Sequence, residues 1–231
     1  MPEISPNHFV ERGFAMMRRF FVLSLVVLAA AVATQQPVRA ASAAEAFVST
    51  NIDKGLQILG NKSLPAAQRA TQFQTFLEQL TDIDRIAKFT LGNARRTASP
   101  ADVSAFDAAF RNYAIAVYQS YFNKYAGQML KVTGSTSVAA NDDVVKTVLV
   151  DPSDRSGNPL EVDFRVKSDT GRPMVVDVSV GTSNGGLISL AIEERDQFSA
   201  FLSQHNGSIP ALVQHLNQLT TQYRSGGASQ R

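Results

Sequence analysis

The 231-residue chain contains no cysteine, no tryptophan and only three histidines. Without cysteine there is no disulfide framework, no thiolate metal site, no cysteine nucleophile and no lipid-modified N-terminal cysteine. The histidines are too few and too scattered for a metal or acid/base constellation. His205 and His215 fall in no HExxH-type spacing, and His205 reads as a residue at a helix C-terminus, where a donor or cation is favoured in any case. A long apolar run is also missing: the most hydrophobic stretch, Phe20–Ala33, has 14 residues, short of the roughly 20 that a membrane span needs. There is no internal repeat.

What that short apolar run does resemble is the middle of a secretory signal. Arg18 and Arg19 precede it, and Val38-Arg39-Ala40 supplies a small-residue cleavage pattern, so residues 1–40 are read as a leader and signal peptide that is removed near Ala40 or Ala43. The adjacent arginines before Phe20-Phe21 allow a twin-arginine route beside the general secretory one. Cleavage takes four arginines (Arg12, Arg18, Arg19, Arg39) and two glutamates (Glu3, Glu11) from a total of 22 basic and 20 acidic residues, which leaves the mature chain formally neutral. The pI of about 9.0 therefore does not imply nucleic-acid binding, which needs a basic stripe in the mature protein.

With 44% hydrophobic residues in the full sequence there is enough to bury a core, and residues 41–224 are expected to form one domain, with 225–231 a Ser/Gly-rich disordered tail. The central stretch is Ser99–Gly127. Ser99, Pro100 and Asp102 form a helix start with a capping box, and Gly127 suits a left-handed stop. Between them Val103, Phe106, Phe110, Ala114, Val117, Tyr121 and Tyr125 recur at helical spacing, and Tyr113, Tyr118 and Phe122 widen the stripe. Two amphipathic helices and a short third one, after Asp82, precede it. Beyond Gly127 the period changes to two. Leu160, Val162, Phe164 and Val166 alternate with charged residues, and Met174, Val176, Val178 and Val180 with Val175, Asp177 and Ser179, across a Ser168–Gly171 turn. Met129–Val138 and Val144–Val150 add two further strands, and two helices follow, started by Ser189 and Ser208. The fold class is thus α+β: an antiparallel sheet of about four strands covered by helices, with the long aromatic helix as the expected cover.

No catalytic set emerges. Glu193-Glu194 and Asp142-Asp143 read as solvated surface pairs, and Ser183-Asn184-Gly185-Gly186, with no basic residue following, as a rim loop rather than a phosphate nest. The aromatic helix is either plain core or one wall of an apolar cavity against the sheet, with tyrosines at its mouth.

The order Leu91-Gly92-x-x-Arg95-x-x-x-Ser99-Pro100, Phe106-x-x-x-Phe110, Tyr118, Tyr125-x-Gly127, then Val176-Asp177-Val178, Gly186-x-x-Ser189-Leu190, Arg195-x-x-Phe198 and Gly207 with Leu212-Val213-x-x-Leu216 resembles the MlaC-type family of periplasmic phospholipid carriers, also known as toluene-tolerance proteins. Two departures stand out: Ala94 replaces an aromatic common in the family, and Gly181–Gly186 is extra sequence. The resemblance implies a soluble periplasmic shuttle that holds a phospholipid by its acyl chains in a cavity between sheet and helices. Such a shuttle exchanges lipid between an outer-membrane lipoprotein complex and an inner-membrane ABC transporter with an MCE-domain subunit, and so maintains lipid asymmetry. It implies no cofactor other than lipid cargo, no metal, no catalytic residue and a monomer.

On that reading the lipid-binding residues are Phe106, Phe110, Val117 and Tyr121 on the helix, Leu160, Val162, Phe164, Met174, Val176 and Val178 on the sheet, and Leu187, Ile188 and Leu190 at the rim. The alternative is an α+β isomerase or hydrolase acting on a hydrophobic small molecule, which would require a carboxylate such as Asp163 or Asp177 inside the cavity. A periplasmic chaperone or adaptor with a fully packed core is a third possibility.

Overall fold

Short polar side chains start five of the helices. Ser42 Oγ accepts from Glu45 N (3.1 Å) ahead of α1 (Ala43–Gly60), and Asp82 accepts from Arg85 N (3.1 Å) ahead of α3 (Ile83–Leu91). Ser99 accepts from Asp102 N (3.1 Å) and donates to that aspartate (2.8 Å), which closes the capping box of α4 (Pro100–Ser120). Ser189 and Ser208 accept from Ile192 N and Ala211 N ahead of α5 (Leu190–Gln204) and α6 (Ile209–Arg224). Only α2 (Ala66–Leu80), which follows Pro65, lacks a side-chain cap among these described helices. A short 3₁₀ turn, Gly92–Arg96, links α3 to α4. It opens at Gly92 with φ +59, a conformation that favours glycine.

The computed structural model describes residues 42–120, 127–154 and 159–225. The expected leader and signal peptide (1–40), the cavity residue Tyr121, the stripe residues Phe122 and Tyr125 and the tail from 226 lie outside the described residues. No described helix is long and apolar enough to cross a membrane.

The strands β1 (Met129–Ala139), β2 (Asp142–Val150), β3 (Leu160–Lys167), β4 (Met174–Gly181) and β5 (Leu187–Ser189) form one antiparallel sheet in sequence order. The sheet therefore has five strands rather than about four. The extra one is three residues long, too short to show alternation, and the Gly-rich Thr182–Gly186 segment is the loop that turns β4 into it. Asn141, at φ +57, closes the β1–β2 hairpin. Beside that turn Arg165 holds the Asp142 carboxylate bidentately (Nε–Oδ1 2.9 Å, Nη2–Oδ2 2.7 Å), and Lys167 adds a third contact at 3.1 Å. Asp142 is consequently 3% exposed, not one of a solvated pair.

Two cores result. In the first, α3, α4, α5 and α6 pack around Phe106, Phe110, Phe198, Leu212 and Leu216, with Phe198 edge-on to both Phe106 and Phe110 at ring-centroid distances of 5.9 and 6.2 Å. In the second, α1 lays Ala44, Val48 and Ile52 across Val145, Val166 and Val175 of the sheet. The sheet's cover is thus α1, not the long aromatic helix, which packs mainly on α6 and also on α3 and α2. The physical reason is width. Buried Phe106, Ala109, Phe110, Tyr113, Ile115 and Ala116 extend around more of α4 than one sheet face could cover, and helices on several sides cover it better.

Candidate ligand cavity

The two cores meet along the first half of β4, which the short β5 leaves unpaired on its outer side. Val175 O accepts from Asp82 N at 3.0 Å, and Thr81 bridges the same residue in parallel fashion, so the α2–α3 connection is pinned to β4. Arg85 of α3 then holds Asp169, in the β3–β4 turn, through two bonds of 3.0 and 2.9 Å. On the other side, Asp177 of β4 accepts from the Ser189 hydroxyl (2.5 Å), from Ala191 N (3.1 Å) and from Val178 N (2.8 Å), which fixes the start of α5. With α3 and α5 held at β4, and α4 and α6 behind them, the elements do not close on one another completely.

The space left is a cavity of about 440 Å³, within the range of small-molecule sites. Val175, Asp177 and Val178 supply its β4 wall, Ile83 and Ile86 the α3 wall, and Phe110, Tyr113, Ala114, Val117 and Tyr118 the α4 wall. Leu190, Ala191, Glu193, Glu194 and Gln197 come from α5, and Tyr223 from α6. The lining is mainly aliphatic and aromatic, and among its polar groups the Tyr113 hydroxyl donates to Glu194 Oε1 at 2.7 Å. Glu194 Oε2 is shielded from solvent and has no hydrogen-bond partner. Burial pushes the Glu194 carboxyl above the usual range, the Tyr113 bond opposes that shift, and the charge of neighbouring Glu193 adds to it. Of the expected solvated pair, Glu193 is exposed while Glu194 is not.

The expected lipid-binding residues divide. Phe110, Val117, Val178 and Leu190 line the cavity. Phe106 is 0% exposed within the helical core, and Phe164 packs against the α1 cluster; neither lines this cavity. Val162 is half-buried opposite Thr147 and Val180, and Leu160 is 41% exposed at the strand's start. Leu187 and Ile188 on β5 are exposed. Met174 and Val176 lie out of phase with the expected face, because the β3–β4 ladder is irregular there: Arg165 pairs with Asp177 but Val166 pairs with Val175. The extra residue, Val176, is a β-bulge, and it places Val175 in the second core.

Of the carboxylates that an enzyme reading would need, Asp163 is buried, with a pKa raised by burial, but does not line the cavity. Asp177 does line it, yet both its oxygens are bonded to the Ser189 hydroxyl and backbone N–H groups. His205 and His215 are instead stacked on Phe201, at 3.9 and 4.7 Å between centroids. The described residues include no cluster suited to a metal ion. A wider groove of about 1030 Å³ along α3, the 3₁₀ turn and α5 is polar and open, lined by Arg85, Lys88, Arg95, Arg96 and Arg195 with Asp82, Asp84 and Asp196. It offers no apolar chamber.

An apolar, polar-tipped cavity at β4 of an α+β fold has the chemistry of a site suited to an amphipathic molecule. The MlaC protein family matches residues 49–218, and the chain belongs to that family. No curated protein matches it significantly. Among solved structures it is similar to the phospholipid-binding protein from Ralstonia solanacearum in complex with a phospholipid, at 22% identity and a TM-score of 0.63, over 79% of this chain and 99% of that one. The open antiparallel sheet and its helices are thus a fold the two share.

Proposed function

We propose that this protein is a periplasmic phospholipid carrier that sequesters acyl chains in the cavity between β4 and helices α3 to α6. The observation that carries the reading is the cavity itself, about 440 Å³ with aliphatic and aromatic walls, in a chain of the MlaC family. The fold shared with a structure that holds a phospholipid supports it. The energetics favour chain-driven binding: at about 0.8 kcal/mol per buried CH₂, long acyl chains outweigh a few headgroup hydrogen bonds, so selectivity among headgroups is weak. Such a protein is exported by the leader in residues 1–40 and moves as a soluble monomer. It exchanges lipid between an outer-membrane lipoprotein complex and an inner-membrane ABC transporter bearing an MCE-domain subunit. No bond is made or broken, and no cofactor takes part.

Hydrolase or isomerase chemistry would draw on Asp177 and Glu194. With Asp177 occupied by the Ser189 hydroxyl and the Ala191 and Val178 N–H groups and no histidine among the described cavity residues, the carrier reading accounts for more of the site. Native mass spectrometry of the protein purified from membrane-containing extracts tests it. A mass increment matching phospholipid, recovered on solvent extraction, is expected. A bare protein mass with no extractable lipid would overturn the proposal.

A further inference from the structure

The one part of the cavity that apolar packing does not explain is Glu194. A carboxyl group on a largely apolar wall costs free energy unless its oxygens are bonded, yet only Oε1 has a partner, the Tyr113 hydroxyl at 2.7 Å, while Oε2 is shielded from water and unbonded. Nothing about folding requires this arrangement, since a glutamine or leucine would fill the same volume. A buried polar atom left without a partner calls for an explanation, and a ligand group in the adjoining cavity supplies one. Which group it is follows from the proton. With Tyr113 donating to Oε1, a neutral carboxyl carries its hydrogen on Oε2, and so presents a donor.

Resting on the carrier reading above, we propose that Glu194, oriented by Tyr113, donates a hydrogen bond from Oε2 to the ester carbonyl of an acyl chain held in the cavity. The complementarity is specific to the depth of the group. An ester carbonyl is the first polar atom met on passing from an acyl chain towards a headgroup, and it accepts but never donates. Glu194 thus reads the linkage between chain and glycerol rather than the headgroup, which is compatible with weak headgroup selectivity. Burial favours the neutral form that this donation needs. The other titratable groups around the cavity are Tyr113 and Tyr118 of α4, Glu193 of α5, Tyr223 of α6 and Asp177 of β4, while the α3 wall contributes none among the described residues. The set holds no cation that would pull Glu194 towards its ionised form.

The test is competition. Delipidated protein is offered vesicles containing equal amounts of a diester phosphatidylethanolamine and its diether analogue of the same chain length, and the bound lipid is identified by native mass spectrometry. The wild type should prefer the ester by about fivefold, the worth of one neutral hydrogen bond. That preference should fall as pH rises through the elevated pKa of Glu194. Glu194→Gln, whose amide accepts from Tyr113 and still donates, should keep the preference at all pH values, and Glu194→Leu should bind both lipids equally. A wild type that takes up ester and ether equally, or a Leu variant that retains the preference, overturns the inference while leaving the carrier reading intact. Uptake of neither lipid overturns both. If Glu194→Leu does not fold, the wild-type ratio and the pH-independence of the Gln variant decide the matter.

Discussion

The Ser189 hydroxyl donates to Asp177 Oδ2 at 2.5 Å, while Ser189 Oγ itself accepts from Ile192 N at 3.1 Å. One serine therefore caps α5 and ties it to β4. Asp177 reinforces the joint by accepting from Ala191 N. Replacing Asp177 by alanine leaves that N–H and the serine hydroxyl without their acceptor at the cavity's edge. Asp177→Ala should lose about 1–3 kcal/mol of stability, read as a lower midpoint in urea with an unchanged slope. Asp177→Asn, which keeps one acceptor oxygen, should lose less. If the alanine variant unfolds at the wild-type midpoint, the aspartate is not a structural cap, and the enzyme reading regains a free carboxylate.

Asp142 and Glu194 titrate in opposite directions, so they predict opposite pH effects. Arg165 and then Lys167 hold Asp142 below the usual carboxylate range against its burial. The stability it contributes is complete above about pH 4, the value of an unfolded aspartate, and is lost as pH falls through the depressed folded value. Asp142→Asn should cost about 1–2 kcal/mol at neutral pH, the half-exposed Arg165 limiting the gain, and should flatten the acid limb of the stability curve. Thermal unfolding between neutrality and strong acid measures both. A variant whose acid limb parallels that of the wild type would contradict the assignment.

For Glu194 the sign reverses. Its folded pKa is raised by burial, so the folded protein holds the proton more tightly than the unfolded chain does, and ionisation works against folding. The penalty is absent below about pH 4.3, where both states are protonated, and complete above the folded pKa. In lipid-free protein, Glu194→Gln should therefore match the wild type in acid and become progressively more stable as pH rises through that pKa. Parallel melting curves across the whole range would show that the carboxyl is not desolvated.

How far the sequence disclosed this depends on whether the signal was local. Ser42, Asp82, Ser99, Ser189 and Ser208 announce their helices because a cap needs only a residue and the N–H groups that follow it. The alternation of β3 is equally local. What alternation cannot convey is a one-residue slip: the bulge at Val176 exchanges the faces of Val175 and Val176 with no glycine to mark it. Nor can a helical stripe name its partner. Both α1 and α4 carry an apolar stripe, yet α1 covers the sheet and α4 joins the helical core. Glu194 was hidden by its neighbour, since an acidic pair reads as surface until Tyr113 is seen to cross from another helix, 81 residues away in sequence.

Phe106 and Val117 lie three turns apart on α4, and the distinction between core and cavity predicts different failures for them. Phe106 is 0% exposed and packs on Phe110 and Phe198. Phe106→Ala should cost about 3–5 kcal/mol through lost transfer energy and the void left behind, and any loss of lipid should follow from unfolding. Val117 instead lines the open space. Val117→Trp places added volume where there is room for it, so the melting temperature should stay near that of the wild type while bound phospholipid falls by about tenfold, some two CH₂ groups at about 0.8 kcal/mol each being displaced. Lipid content per folded protein, with melting temperature measured on the same samples, separates the two cases. A Val117→Trp protein that melts normally and carries its full complement of lipid would mean that the acyl chains lie elsewhere.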